Sequence, residues 1–209
     1  MELKEELQKA LEELRKNKER KFIQTVDFII NLQKFDVKKT PLNLFISLPH
    51  KVKDKKIAAF LEEQNSSIDT IRGDEFKKYT DKNLVKNLVK KYDFFIAEGK
   101  LMPKVATTFG RVLGPAGKMP SPQLGLLMNV NDAEINDLKI KINNTLKIRV
   151  KESSIKLPVG RQDMSDEDII ENILTLYETI EKAMPKQKEN IKNIEIKFTM
   201  TKPIKIKIR

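Results

Sequence analysis

The sequence predicts an α+β fold for the two ends of the chain and an α/β fold for its middle. Near both ends, apolar residues alternate with polar ones, which is typical of strands that bury one face. Between about residue 51 and residue 142, short apolar runs are separated by helical stretches, which is typical of buried parallel strands joined by helices. The 209 residues suffice for one large domain or two small ones.

The N-terminal part predicts one helix and two strands. Leucines recur on one helical face, at Leu3, Leu7, Leu11 and Leu14. The next stretch alternates as a strand, and its apolar parity, which predicts a core face, contains Phe22, Val26, Phe28, Ile30 and Leu32. The opposite parity contains Lys21, Thr25, Asp27 and Asn31. A second strand is predicted over Leu42–His50 and ends at Pro49.

The middle of the chain predicts βα units. Ile57–Leu61 and Asp93–Ala97 are apolar enough for buried strands. Helical stretches are predicted around Asn83–Lys91 and Pro103–Leu113, with Gly114 as the C-cap of the second.

The C-terminal part returns to alternation. The segments 146–150 and 155–159 predict a hairpin across the sequence K-E-S-S. A helix follows, with Ser165 as its N-cap and Asp168 three positions later. The last strand has isoleucines on one face, from Ile194 to Ile208, and Pro203 makes it an edge strand or interrupts it.

Composition excludes several kinds of site. The chain has no cysteine, which excludes disulfides, zinc–thiolate sites and cysteine nucleophiles, and its single histidine, His50, excludes multi-histidine metal sites. The N-terminal segment is charged and no apolar run approaches ~20 residues, so a soluble cytoplasmic protein is expected.

The charge favours a polyanionic partner. Lysine and arginine total 41 against 30 acidic residues, a net charge of +11, which suits RNA, DNA or an anionic membrane surface. The last thirteen residues contain five cations and no acid. A strand of this kind either tracks phosphates or is an edge strand that lysines protect against aggregation.

The glycine-rich stretch 110–123 fails as a phosphate loop. A Walker A loop needs glycine six residues before its lysine and a hydroxyl after it, whereas Val112 and Met119 occupy those positions around Lys118. Pro115 also removes a backbone N–H. The stretch therefore predicts a helix end and a rigid turn that expose the cations Arg111 and Lys118. A nucleotide-dependent enzyme remains the alternative from another class.

The run Lys104–Ser121, K-V-A-T-T-F-G-R-V-L-G-P-A-G-K-M-P-S, closely resembles the signature of the family of protein one of the large ribosomal subunit. Four more blocks resemble the family in order and spacing: Lys21–Asp27, Ser47–His50, Leu157–Gly160 and Phe198–Pro203. The resemblance covers nearly the whole chain.

The resemblance implies a discontinuous RNA-binding α+β domain of residues 1–50 and 143–209, with an inserted Rossmann-like α/β domain of residues 51–142. It implies a protein without catalysis, cofactor or metal. The partners would be large-subunit rRNA at the mobile stalk beside the tRNA exit site, exit-site tRNA, and the mRNA of its own operon, which it would repress. No membrane partner is expected. A non-ribosomal RNA chaperone or processing factor of this fold is the nearest alternative.

The resemblance also implies the binding residues. The main RNA contacts would be Lys21, Phe22, Thr25, Asp27, Lys156, Arg161, Thr199, Met200 and Thr201. A secondary contact would come from Lys104, Arg111 and Lys118. Thr201 replaces a glycine that is frequent in the family. Parity places Phe22 and Met200 with the core residues, whereas this role needs them at the RNA.

Overall fold

The computed structural model describes residues 2–17, 20–36, 42–128, 130–150 and 152–207. They have mixed α and β content, with both antiparallel and parallel sheets. The chain divides into two compact units, which we call the terminal unit (Met1–Lys53 and Asn144–Arg209) and the middle unit (Asp54–Asn143).

The helices and strands follow one another in chain order as α1 (Glu2–Arg15), β1 (Thr25–Leu32), β2 (Asn43–Ser47), β3 (Ile57–Leu61), β4 (Asp69–Arg72), α2 (Lys82–Lys91), β5 (Phe94–Glu98), α3 (Met102–Ala116), β6 (Leu126–Leu127), α4 (Asp132–Asn144), β7 (Thr145–Arg149), β8 (Ser154–Arg161), α5 (Asp166–Ala183), β9 (Ile191–Phe198) and β10 (Ile204–Ile206). Short 3-10 helices lie at Gly73–Thr80, Gly99–Leu101 and Gln187–Asn190.

The terminal unit is built on an antiparallel sheet with the strand order β10-β9-β1-β8. One face of this sheet packs against α1 and α5. The predicted leucine face of α1 is confirmed, since Leu7, Leu11 and Leu14 are fully or almost fully buried. The Ser165 cap is confirmed as well, because its side chain accepts a hydrogen bond from the Asp168 N–H.

The predicted hairpin between residues 146–150 and 155–159 is wrong. Strand β7 pairs with β2 in a separate two-stranded ribbon, and β8 pairs with β1 in the main sheet. The two strands are neighbours in sequence, but each buries its apolar side chains against a partner from the N-terminal part of the chain. The apolar face of the ribbon packs on the core through Leu44, Ile46, Leu146 and Ile148.

The C-terminal segment is two strands, of which β10 is the sheet edge. The chain turns after Phe198, and Ile204 then pairs with Ile196. Pro203 lies in the connection, where no ladder hydrogen bond is needed from it. Ile208 and Arg209 lie outside the described residues.

The middle unit has a parallel sheet, as the apolar runs predicted, and the strand order of this sheet is β4-β3-β5-β6. On one face, α2 and α3 enclose an aromatic cluster in which Phe60 contacts Phe76, Phe95 and Phe109.

The prediction of Gly114 as the C-cap of α3 is wrong. The helix continues through Pro115 to Ala116 and is capped by Gly117, whose φ is 71°. The N–H groups of Gly117 and Lys118 then bond the carbonyls of Gly114 and Leu113. A left-handed φ favours glycine, which explains why α3 ends at Gly117.

Candidate nucleic-acid interface

Three separate segments of the chain meet where β1 begins. Residues 20–25 enter the strand, residues 161–164 follow β8, and residues 199–201 form the turn after β9. We call the residues that this junction presents the strand-end surface: Lys21, Phe22, Ile23, Thr25, Arg161, Thr199, Met200 and Thr201. Most of them were predicted contacts.

The turn after β9 is fastened to the first residue of β1. The Thr199 N–H donates to the Thr25 carbonyl over 3.1 Å, and the Thr25 N–H donates to Thr199 Oγ1 over 3.2 Å. Thr25 is half-buried and Thr199 is exposed. Both ends of the chain therefore supply adjacent parts of one surface.

Thr201 closes the turn through its side chain. Its hydroxyl accepts a hydrogen bond from the Phe198 N–H over 2.9 Å, and its own N–H bonds the Phe198 carbonyl. Among the described residues, Lys34 and Gln187 are the non-glycine residues with positive φ, so Thr201 is not in the left-handed region. The position does not require glycine in this chain.

A buried glutamine that the sequence analysis missed holds the junction together. Gln24 is 2% exposed. Its Oε1 accepts from the Met200 N–H over 3.1 Å, and its carbonyl accepts from the Gln162 N–H over 2.8 Å. The alternation could have identified Gln24, because it places this polar residue on the face that is predicted to be buried.

An arginine at the end of α1 fixes the segment after β8, and it was also missed. Arg15 Nε donates to Asp166 Oδ1 over 2.7 Å, and its other nitrogens donate to the carbonyls of Gln162 and Met164. A guanidinium has the several donors that such a bridge needs. It holds the backbone on which Arg161 lies.

Three large apolar side chains are exposed on the strand-end surface. Phe22 is 51% exposed, Ile23 is 54% exposed and Met200 is 59% exposed. The parity argument is therefore wrong for Phe22 and Met200, because β1 begins only at Thr25 and β9 already ends at Phe198. Ile23 was not predicted. Exposed apolar side chains beside cations are suited to stacking on unpaired nucleotide bases.

Cations border this surface. Lys21 and Lys156 are exposed, and half-buried Arg161 pairs with Asp163 at 3.0 Å. Lys156 lies on the outward parity of β8, several residues along the strand from Arg161. A shallow groove beside the apolar side chains is lined by Arg20, Lys21, Phe22, Ile23, Gln162 and Asp163.

Asp27 adds a carboxylate on the outward face of β1. It is half-buried, and its Cα lies opposite Lys197 in the β1–β9 ladder. Burial raises the pKa of the Asp27 carboxyl above its ordinary value, and the positive charge of Lys197 opposes this rise. When ionised, this carboxylate can only accept hydrogen bonds, as from a ribose hydroxyl or a base amino group.

The predicted secondary residues lie in the middle unit. Lys104 and Arg111 are exposed on α3. Lys118 is not the exposed cation that was expected, because its ammonium donates to the carbonyls of Val89 and Tyr92, both over 2.7 Å. Lys118 thus provides hydrogen bonds to backbone carbonyls at the C-terminal end of α2, and its side chain is half-buried.

The structure provides no phosphate loop at the glycine-rich stretch, since residues 110–116 are helical. His50 is held against α5: its Nε2 lies 2.8 Å from Glu171 Oε2, and its backbone N–H donates to Asn172 Oδ1.

Over the described ranges, no cluster of three or more His, Cys, Asp or Glu side chains could hold a metal. The helices described are all too short or too polar to cross a membrane.

Fold and surface together define a two-unit α/β protein whose candidate site is a binding surface assembled from both chain ends. The model of the Ribosomal protein L1p/L10e family matches residues 14–202. The chain belongs to this family, which confirms the resemblance found in the sequence, and the members it matches are ribosomal proteins rather than enzymes.

Three archaeal relatives match over most of their length. A protein of Nanoarchaeum equitans named "Large ribosomal subunit protein uL1" is 34% identical, with 92% of this chain and 95% of that protein covered. Proteins of the same name from Pyrococcus abyssi and Archaeoglobus fulgidus are 34% and 32% identical. They cover 91% and 97% of this chain, and 90% and 98% of their own lengths.

Proposed function

We propose that this protein is a component of the large ribosomal subunit and binds its rRNA through the strand-end surface. The observation that supports this most directly is the junction between Thr25 and Thr199. Seven of the nine predicted main contacts, which are short polar, apolar and basic side chains, belong to the surface around this junction, and its described residues include no catalytic grouping.

The chemistry of the surface suits folded RNA. Threonine hydroxyls exchange hydrogen bonds with ribose 2′-hydroxyls, and Phe22 and Met200 offer apolar contact to splayed bases. Lys21, Lys156 and Arg161 supply attraction to phosphates, which weakens with salt. Asp27 is repelled by phosphate, so its partner is a base edge or a 2′-hydroxyl.

We further propose the finer role that the family resemblance implies. The protein acts in the cytoplasm, on the mobile stalk of the subunit beside the tRNA exit site. It meets exit-site tRNA there, and it represses its own operon by binding an mRNA structure that resembles the rRNA site. The same surface serves both RNAs, so they compete for it.

The terminal unit forms the RNA-binding domain in this proposal, and the middle unit, residues 54–143, forms an insert. Removing the insert and joining the ends should leave a terminal domain that folds and keeps most of the RNA affinity. The test is RNA binding by the shortened protein, with circular dichroism to check folding. A folded product without affinity would contradict the assignment.

The central experiment measures binding of the full chain to a fragment of stalk rRNA. Phe22→Ala is expected to weaken binding by about 1–3 kcal/mol, the range for losing one stacked base. Met200→Ala is expected to weaken it as well. Met128→Ala is the matched control, because Met128 is 81% exposed in the middle unit.

The same assay separates the alternatives. Equal binding of stalk and unrelated RNAs would favour a general RNA chaperone. If a nucleotide stabilised the protein against heat, that result would favour the alternative of a nucleotide-dependent enzyme. Equal effects of Met200→Ala and Met128→Ala would remove the strand-end surface from the binding site.

A further inference from the structure

Helix α2 of the middle unit has a repeated sequence, K-N-L-V-K-N-L-V-K-K. A four-residue repeat returns the same residue types to nearly the same helical face at each turn. Asn83, Lys86, Asn87 and Lys90 are exposed, while Val85 and Leu88 are buried. We call the four exposed residues the α2 basic face.

The helix dipole does not explain this composition. Lysines in the last turn of a helix are stabilising, which accounts for Lys90 and Lys91. The helix dipole does not account for Lys86, which lies in the middle of the helix, or for the absence of any acidic residue along α2. Among the described residues, neither Lys86 nor Lys90 has a hydrogen-bond or ion-pair partner, unlike Lys118 beside them.

The neighbouring sequence is almost free of acids. From residue 82 to residue 131 there are eight lysines and arginines and two acids, Asp93 and Glu98. Glu98 is 7% exposed, and its Oε2 accepts from the Glu62 N–H. Asp93 Oδ2 accepts from the Lys56 N–H. Neither acid lies on α2 or on α3, which packs beside it. The acids just before α2 are engaged elsewhere, since Asp81 accepts from the Asn83 N–H as the helix cap and Glu75 pairs with Lys78. No ion pair among the described residues therefore neutralises the exposed lysines Lys86 and Lys90.

The side chains of α2 indicate which kind of partner the α2 basic face can bind. A basic helix that binds a lipid surface inserts its apolar face, but the apolar face of α2 is occupied by the core of the middle unit, since Val85 and Leu88 are 2% and 8% exposed. Lysine ammonium groups attract phosphates, and asparagine amides both donate and accept hydrogen bonds. Asparagines between lysines therefore suit the sugar–phosphate backbone of RNA.

We propose that the α2 basic face binds the phosphate backbone of the same large-subunit rRNA that the strand-end surface holds. This inference rests on the proposed function, and it names α2 as a second contact. The polypeptide connects the two units twice, at residues 53–54 and 143–144. An RNA held by the terminal unit is thereby kept at high effective concentration near the middle unit, so a weak second contact suffices.

The test compares two double variants of the full chain. Lys86→Gln with Lys90→Gln removes two charges from the α2 basic face. Lys9→Gln with Lys182→Gln removes two charges from exposed helical lysines of the terminal unit that pair with Glu6 and Glu178. Lysine and glutamine have similar helix propensities, so both variants should fold, which circular dichroism checks.

The measurement is the affinity for a stalk rRNA fragment as a function of salt concentration. Two lost phosphate contacts should lower the slope of log affinity against log salt by about 1.4–1.8, and they should weaken binding roughly tenfold at low salt. The control variant should keep the wild-type slope.

The outcomes separate this inference from the proposed function. Identical slopes and affinities for the two double variants would overturn the α2 contact, while wild-type binding to the fragment would leave the proposed function intact. No specific binding of the wild type to the fragment would overturn both. A loss seen only with free tRNA or with polyglutamate, with rRNA binding unchanged, would assign the face to another partner and also overturn the inference.

Discussion

Thr25 and Thr199 are 174 residues apart in sequence and are joined by reciprocal hydrogen bonds. The Thr199 hydroxyl accepts from the Thr25 N–H and lies 3.4 Å from the Thr25 carbonyl, within reach to donate to it. The Thr25 hydroxyl, in contrast, has no hydrogen-bond partner among the described residues. The two side chains thus have different tasks: Thr199 fastens the turn, and Thr25 is available to a ligand.

Thr25→Val is expected to weaken rRNA binding by about 1–3 kcal/mol, because a polar group of the RNA is left unpaired. The stability of the protein should change little, since no intramolecular hydrogen bond is lost. Filter binding with a stalk rRNA fragment measures the first effect and urea unfolding the second. Unchanged binding would exclude the Thr25 hydroxyl as a contact.

Thr199→Val is expected to lower both RNA affinity and stability, because the Thr25 N–H loses its partner. Thr199→Ser is the matched control, since serine retains the hydroxyl. The serine variant should recover most of both properties. A loss in the serine variant as large as the loss in the valine variant would show that the hydroxyl does not rescue the turn, which would contradict the hydrogen-bond explanation.

Gln24→Leu is expected to reduce the free energy of unfolding by about 1–3 kcal/mol. The substitution keeps the apolar volume but removes the acceptor of the Met200 N–H and the contact with Gln162. Since this glutamine positions the turn, the variant should also release RNA faster. Urea unfolding and dissociation kinetics measure the two effects, and wild-type behaviour in both would show that the turn holds its place without Gln24.

Alanine at two glycines of the α3 region should have opposite effects. Gly114 is helical, and a Cβ there would meet nothing within 4 Å, so Gly114→Ala should stabilise the protein by roughly 0.5–1 kcal/mol. Gly117 has a φ of 71°, so Gly117→Ala should destabilise it. Thermal unfolding compares the pair. A destabilising Gly114→Ala would mean that the helix ends at residue 114.

Asp27→Asn should stabilise the protein at neutral pH. The raised pKa of Asp27 means that folding favours its protonated form. Its stabilising contribution is complete below the ordinary pKa of 3.8 and is lost as the pH rises through the folded value. The gain from Asp27→Asn should therefore shrink as the pH falls toward 3.8 and then disappear. Urea midpoints across this range measure it, and equal midpoints of the variant and the wild type at neutral pH would contradict the prediction.

Several elements could be predicted because their signals are local. The leucine face of α1, the Ser165 cap and the buried strands β3 and β5 depend on periodicity and on hydrogen bonds within a few residues. The family signature was equally visible in the sequence. The charge pattern also indicated a polyanionic partner without any structural information.

The local sequence pattern could not predict which strands pair with one another. Strands β7 and β8 alternate as a hairpin would, but each has an N-terminal partner, because pairing is decided by which apolar faces can be buried together. The exposure of Phe22 and Met200 has a similar cause. Parity assigns a face only within a strand, and both residues lie just beyond a strand end.

By itself, the sequence determined part of the secondary structure, such as α1, α5, β3 and β5, together with the excess of positive charge and the family to which the chain belongs. Tertiary structure alone decided that Gln24 and Arg15 support the strand-end surface, that Lys118 is occupied within the middle unit, and that Thr25 lies beside Thr199. The physical reason is range. Periodicity and capping act over a few residues, whereas a surface made from both chain ends exists only after the long loops between them have closed.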